Sequence, residues 1–139
     1  IMDVTTIPFN QFIGLKYADN PDYLLMLDDS NKYHNHLGTV HASAMFALAE
    51  ASSGLFLQNE FSGVDNIVPV VRKSEIKFKK PANGKIYSRA RFGEVHKEEI
   101  LQAISDKKRV AITVVITLVD QTETMVMQAT FDWVVLPGS

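Results

Sequence analysis

The 139-residue sequence contains no cysteine, which excludes a disulfide framework, a thiol nucleophile and a thiolate metal site. A cysteine-free chain suits a reducing compartment, so the cytoplasm is the expected location. Excess charge of one sign is also missing. Fourteen Lys and Arg against sixteen Asp and Glu leave a formal net charge of -2, too weak a field to advertise a nucleic-acid partner. A long apolar run is absent too. The longest mostly apolar stretch, Ala42 to Leu57, carries Glu50 and several serines and is short for a membrane span, so no membrane partner is expected. The stretch Ile1–Gln11 holds Asp3, Pro8 and Asn10 and lacks the basic start and apolar core of a secretion signal. Repeats, linkers and low-complexity segments are lacking. One domain over residues 1–139 is therefore expected, long enough to enclose a hydrophobic core without covalent or metal support.

What is present is a clear pattern of elements. Pro8 to Ile13, closed by Gly14, has the marks of a short helix, and Leu15–Ala18 and Tyr23–Leu27 read as two short strands around the turn-rich Asp19-Asn20-Pro21-Asp22. Lys32 to Gly38 reads as a polar loop. From His41 to about Asn59 the sequence is apolar on nearly every side, with no proline and no glycine before Gly54, which predicts one long helix wrapped by other structure. Further on, Val68, Val70, Ile76 and Phe78 share one parity and Lys73, Glu75, Lys77 and Lys79 the other, as a half-buried strand requires. Pro81-Ala82-Asn83-Gly84 signals a turn into a strand from Lys85 to about Val95, and Glu98 to Ile104 has the spacing of a short amphipathic helix. Two cleanly alternating strands follow, one through Val110, Ile112, Val114, Ile116 and Leu118, the other through Met125, Met127, Ala129, Phe131, Trp133 and Val135. Short strands, one buried helix and four meandering strands predict an α+β fold, a curved antiparallel sheet wrapped around one long central helix.

Glu50 is the only charged side chain between His41 and Glu60, and it sits mid-helix between Ala49 and Ala51. A buried, unpaired carboxylate costs several kcal/mol or raises its pKa. Two readings stay open: Glu50 does chemistry, or it faces a water-filled crevice or pairs with a basic strand residue such as Arg72. Asn35, Gly38 and His41 stand just before the helix, whose free N–H groups and dipole favour a developing negative charge, as in an oxyanion hole. The alternative is that Asn35 stabilises a turn, Gly38 supplies an unusual backbone angle and His41 only starts the helix. Nine positions separate His41 from Glu50, roughly 13 Å on nearly opposite faces of one helix. If both act on one substrate, the helix start of one copy must meet the carboxylate of another, so a dimer is required.

The run Asn35-His36-Leu37-Gly38-Thr39-Val40-His41-Ala42-Ser43-Ala44-Met45-Phe46-Ala47-Leu48-Ala49-Glu50 resembles the signature of hotdog-fold thioesterases of the phenylacetyl-CoA and 4-hydroxybenzoyl-CoA type. The inferred element order resembles that fold across nearly the whole chain. The closing segment Gln128–Pro137 and the helical insertion resemble an uncharacterised branch of that superfamily. The resemblance implies that Glu50 is general base or nucleophile, Asn35 orients the attacking water, and the backbone N–H of Ala42, with Ser43, holds the thioester oxygen. It further implies that His41 supports the loop and that the adjacent subunit completes each site. Ala42 and Ser43 stand where the family has paired glycines, adding bulk at the place where a carbonyl must approach. No serine or threonine role is carried to the strand after the helix, where Val70, Val71 or Arg72 falls, with Ser74 further along.

Arg72, Lys73, Lys77, Lys79 and Lys80 concentrate positive charge near that strand; Gly38, Arg72 and Lys79 are the candidate substrate-binding residues, the two cations for coenzyme A phosphates, with a solvated strand face as the alternative. Met45, Phe46, Phe56 and Phe61 are candidates to line an acyl pocket or to be ordinary core. His34, His36, His41 and Glu50 allow a metal site on paper, but a solvated loop accounts for His34 and His36, and no metal is expected. The expected function is an acyl-CoA thioesterase without a cofactor beyond coenzyme A in its substrate, acting as a homodimer or dimer of dimers. The alternative is a non-catalytic hotdog module that binds acyl-CoA or an acyl carrier.

Overall fold

The structure, a computed structural model, describes residues 2–94 and 97–138. Helix α2 (Ala42–Glu60) is its axis. Alanine, leucine and methionine favour helix, no proline interrupts, and small side chains at Ala47, Ala49, Ala51, Ser52 and Ser53 let strands approach from several sides. Those five and Met45, Leu48, Leu55 and Leu57 are buried. Before it come helix α1 (Pro8–Ile13), closed by Gly14, and strands β1 (Lys16–Tyr17) and β2 (Leu25–Leu27), which pair antiparallel but are shorter than the pattern predicts. The expected polar loop after them contains a 3-10 turn at Asn31–Tyr33, and Tyr33 is buried with its hydroxyl donating to the Ile13 carbonyl.

After α2 come β3 (Ile67–Phe78), β4 (Ile86–Phe92), helix α3 (Lys97–Ser105), β5 (Val110–Val119) and β6 (Met125–Pro137). The expected end of β4 near Val95 lies outside the described residues. All six strands form one antiparallel sheet in the order β1-β2-β4-β5-β6-β3, curled around α2. The sheet's helix side is the core, with Ile112, Val114, Ile116, Leu118, Met127, Ala129 and Phe131 essentially inaccessible. Among the described residues no helix is long and apolar enough to cross a membrane.

Two expectations need correction. The last four strands do not form a simple meander, because β3 pairs with β6 and not with β4. Residues 79–85 cross instead from one side of the sheet to the other. Seven extended residues reach roughly 23 Å, ample for the roughly 14 Å of three strand spacings. The crossing is fastened at Ala82, which is fully buried and whose carbonyl accepts from Val40 N at 2.8 Å. Second, Val68, Val70, Ile76 and Phe78 do not share a face. The register slips between Val71 and Lys73, opposite Trp133 and Asp132, so Arg72 is the extra residue of a β-bulge. Opposite partners point the same way, which puts Ile67, Val71, Ile76 and Phe78 on the helix side and Val68 and Val70 outside. Val68 and Val70 are accordingly 49% and 43% exposed.

Candidate active site

The helix start is built by a tight turn. The Asn35 side-chain oxygen accepts from Leu37 N (2.9 Å) and Thr39 N (3.1 Å), while its amide donates to Thr39 Oγ1 (2.8 Å). Gly38 completes the turn at φ +78°, in the left-handed region where a side chain is strained. His41 then caps α2: its Nδ1 accepts from Ser43 N at 2.9 Å, and its carbonyl accepts from Ala44 N and Met45 N. The ring is thereby held as the tautomer with hydrogen on Nε2. Since Ser43 N–H is engaged by His41, Ala42 N–H is the amide of this pair for which no acceptor is recorded among the described residues. His41 and Ser43 line a groove of 540 Å³ walled by Phe9, Phe12, Tyr33 and Ala44, whereas Asn35, Gly38 and Ala42, their neighbours in the turn and helix start, do not line it.

Glu50 lies elsewhere. It lines a second groove, of 600 Å³, with Ala51, Gly54 and Leu57 on the same helix and Ile67, Trp133 and Val135 from the sheet. Val4 and Ile7 close one side. The carboxylate is half-buried and has no hydrogen bond or ion pair among the described residues, and burial alone pushes its pKa above the ordinary carboxylate value. The four ion pairs among the described residues, Lys16–Asp28, Lys73–Glu75, Lys85–Asp19 and Lys97–Glu60, do not include it, so the alternative pairing with Arg72 is not made. Arg72 and Lys79 are exposed, at the bulge and just past the end of edge strand β3. Of the four aromatic and methionine candidates for an acyl pocket, Phe61 alone lines the Glu50 groove. Met45 is core, Phe46 packs on Phe131, and Phe56 stacks edge-on to Phe92 at 4.8 Å. Among the described residues no three His, Cys, Asp or Glu side chains converge as metal ligands.

Sequence reasoning passed over the partner that shapes this groove. Trp133 Nε1 donates to Ser53 Oγ at 3.1 Å, and Ser53 Oγ donates to the Glu50 carbonyl at 2.7 Å. The indole is thus held beside the turn of helix that carries the acid. The signal available was the spacing Glu50, Ser53, Gly54, Leu57, one face of α2 that includes its only glycine.

The family model "Domain of unknown function (DUF4442)" matches residues 19–135. The chain belongs to this family. No curated protein matches it. Among solved structures, it is similar to a Pseudomonas aeruginosa protein of unknown function described as a probable thioesterase, at 23% identity and a TM-score of 0.81 over 96% of this chain and 91% of that one. It is similar to a Haemophilus influenzae thioesterase at 13% identity and TM-score 0.73, covering 96% and 86%. It is also similar to a Bacillus halodurans protein solved with CoA, at 18% identity and TM-score 0.65, covering 81% and 66%. These likenesses establish the fold of this DUF4442 member, an α+β hotdog with a curved antiparallel sheet around one helix.

Proposed function

We propose that the protein hydrolyses acyl-CoA thioesters at sites shared between two copies of the chain. The observation that carries this reading is Glu50: a half-buried carboxylate without a partner among the described residues, raised in pKa by burial, on a largely apolar groove. An acid in that state is a competent general base. Ionised Glu50 takes a proton from water as the water oxygen attacks the thioester carbonyl. The oxyanion that forms is held by Ala42 N–H at the start of the other copy's α2, and its collapse breaks the C–S bond and releases the coenzyme A thiolate, which takes up a proton. His41 keeps the helix start in place, and the second amide hydrogen of Asn35 orients the water. Gly38 allows the turn, while Arg72 and Lys79 meet coenzyme A phosphates. Coenzyme A enters as part of the substrate and no further cofactor takes part.

The exposed edge supports the dimer. Strand β3 is twelve residues long and offers one unpaired row of N–H and C=O groups, which a second β3 would satisfy. Val68 and Val70 on the outer face would suit a dimer of dimers. One observation favours a second reading, a non-catalytic acyl-CoA or acyl-carrier binding module: with Ser43 N–H engaged by His41, a single amide remains for the oxyanion. Thiol release from a panel of aliphatic and aromatic acyl-CoAs, native against Glu50→Ala, decides after both are checked as folded dimers. Hydrolysis that disappears with Glu50 supports the enzyme. Binding without turnover of any substrate supports the module.

A further inference from the structure

We infer that Gly54 determines which acyl chains the protein takes, by keeping the Glu50 groove open one helical turn beyond the carboxylate for an unbranched chain of medium length. The inference rests on the proposed site and names its substrate class.

Gly54 interrupts an otherwise glycine-free helix, in a position where alanine is intrinsically better. Its backbone does not need glycine, since its φ is not positive. Packing does not need it either. A Cβ there would meet the Trp133 ring at 3.7 and 3.8 Å, ordinary van der Waals contact. What the missing side chain does leave is room in the groove, because Gly54 and Trp133 both line it. Trp133 cannot readily swing aside to restore that room, being hydrogen-bonded to Ser53 and set in the sheet between β5 and β3.

The groove has the shape of a chain. On the helix it runs past Glu50, Gly54, Leu57 and Phe61, a rise of roughly 16 Å at 1.5 Å per residue. Ile67 and Val135 give it an apolar wall, while Gln58, Asn59 and Ser62 gather toward the end farthest from the acid. A compact aromatic acyl group placed at Glu50 would leave that length empty, whereas a decanoyl or dodecanoyl chain would fill it. A side chain at position 54 would project into the space close to Glu50, shortening the chain that fits while sparing the carboxylate itself.

The test compares native protein with Gly54→Ala and Gly54→Leu in two measurements: kcat/KM for butyryl-, octanoyl-, dodecanoyl- and benzoyl-CoA, and affinity for the matching thioether analogues, which cannot be hydrolysed. The native protein is expected to favour dodecanoyl over butyryl and benzoyl. Gly54→Leu should lose about tenfold or more on dodecanoyl relative to butyryl. Gly54→Ala, which also guards against a folding failure in the leucine variant, should melt higher than native yet shift the profile the same way by less. An unchanged chain-length profile in folded variants, or a native preference for the compact acyl groups, overturns the inference. If native protein cleaves nothing while analogue affinity rises with chain length and falls in the variants, the hydrolysis reading fails and this one stands.

Discussion

The two grooves flanking α2 differ little in size, 540 Å³ at the helix start and 600 Å³ beside Glu50, and differ fully in chemistry. The first is lined by His41, fixed as one tautomer, next to the Ala42 amide and the turn held by Asn35, with no acid among the described residues that line it. The second offers an acid and apolar walls, with no donor bonded to the carboxylate among the described residues. The nine residues from His41 to Glu50 make about two and a half turns, which leaves the two roughly 13 Å apart on nearly opposite faces, so no adjustment of side chains within one chain brings them together. The lesson is that a reaction needing both must draw them from two copies, and each half can be disabled by itself.

Disabling the acid gives the largest effect. Glu50→Ala should lower kcat on the best acyl-CoA by about a thousandfold, within the range for loss of a general base, with circular dichroism unchanged. Next comes the donor. Ala42→Pro removes one N–H at the first helical position, where proline is welcome, and His41 already has the extended backbone (φ -65°, ψ 139°) that a following proline requires. A fall in kcat of about a hundredfold is expected, at the low end for an oxyanion donor. Mixing and refolding the two variants together sharpens the comparison: random pairing yields one intact site in half of the dimers, so about a quarter of native activity should return. No recovery would place both halves of the site in one chain and undo the comparison.

Smaller effects concern stability. Gly38→Ala puts a Cβ at φ +78°, and although nothing crowds it there, the left-handed backbone should cost about 1 kcal/mol in urea unfolding. The smallest is a pH effect at Glu50. Burial raises its pKa in the folded chain above the ordinary value of 4.5, so its contribution to stability is complete below that value and is lost as pH rises through the folded pKa. Glu50→Gln never carries that charge and should melt above native protein at neutral pH, with the gap closing in acid. The same shift should move the acid limb of native kcat/KM up from the ordinary value of a glutamate, since the base must be ionised.

Much of this was legible in the sequence, for local reasons. Pro8 and Gly14 bracket α1 because each favours its end of a helix, and the alternation of Val110 to Leu118 and Met125 to Val135 survives in β5 and β6 because both strands pair on two sides over a buried core. Glu50 stood out because no other residue of its helix before the terminal Glu60 is charged. What stayed hidden depends on contacts between distant segments. Parity counting presumes an unbroken strand, so the bulge at Arg72 turned Val68 and Val70 outward unseen. Adjacency in sequence suggested that β3 pairs with β4, whereas the curl of the sheet sends it to β6. Trp133 reads as one more inward-facing residue of a strand, and only its hydrogen bond to Ser53 reveals that it forms a wall of the Glu50 groove.

A helix that is apolar on every side has no preferred azimuth in an apolar sheath: it could rotate about its axis at little cost in buried area. Within this core the Ser52 hydroxyl lies 2.6 Å from Ser88 Oγ on β4 and 2.6 Å from the Leu48 carbonyl, and Ser88 Oγ in turn accepts from Leu25 N on β2. These polar atoms are wholly buried, and any rotation of α2 would break the Ser52–Ser88 hydrogen bond that joins helix to sheet, while the bonds to Leu48 and Leu25 stay with their own elements. The two serines therefore act as an angular key, and because Glu50 projects roughly 200° round the axis from Ser52, the same key aims the acid.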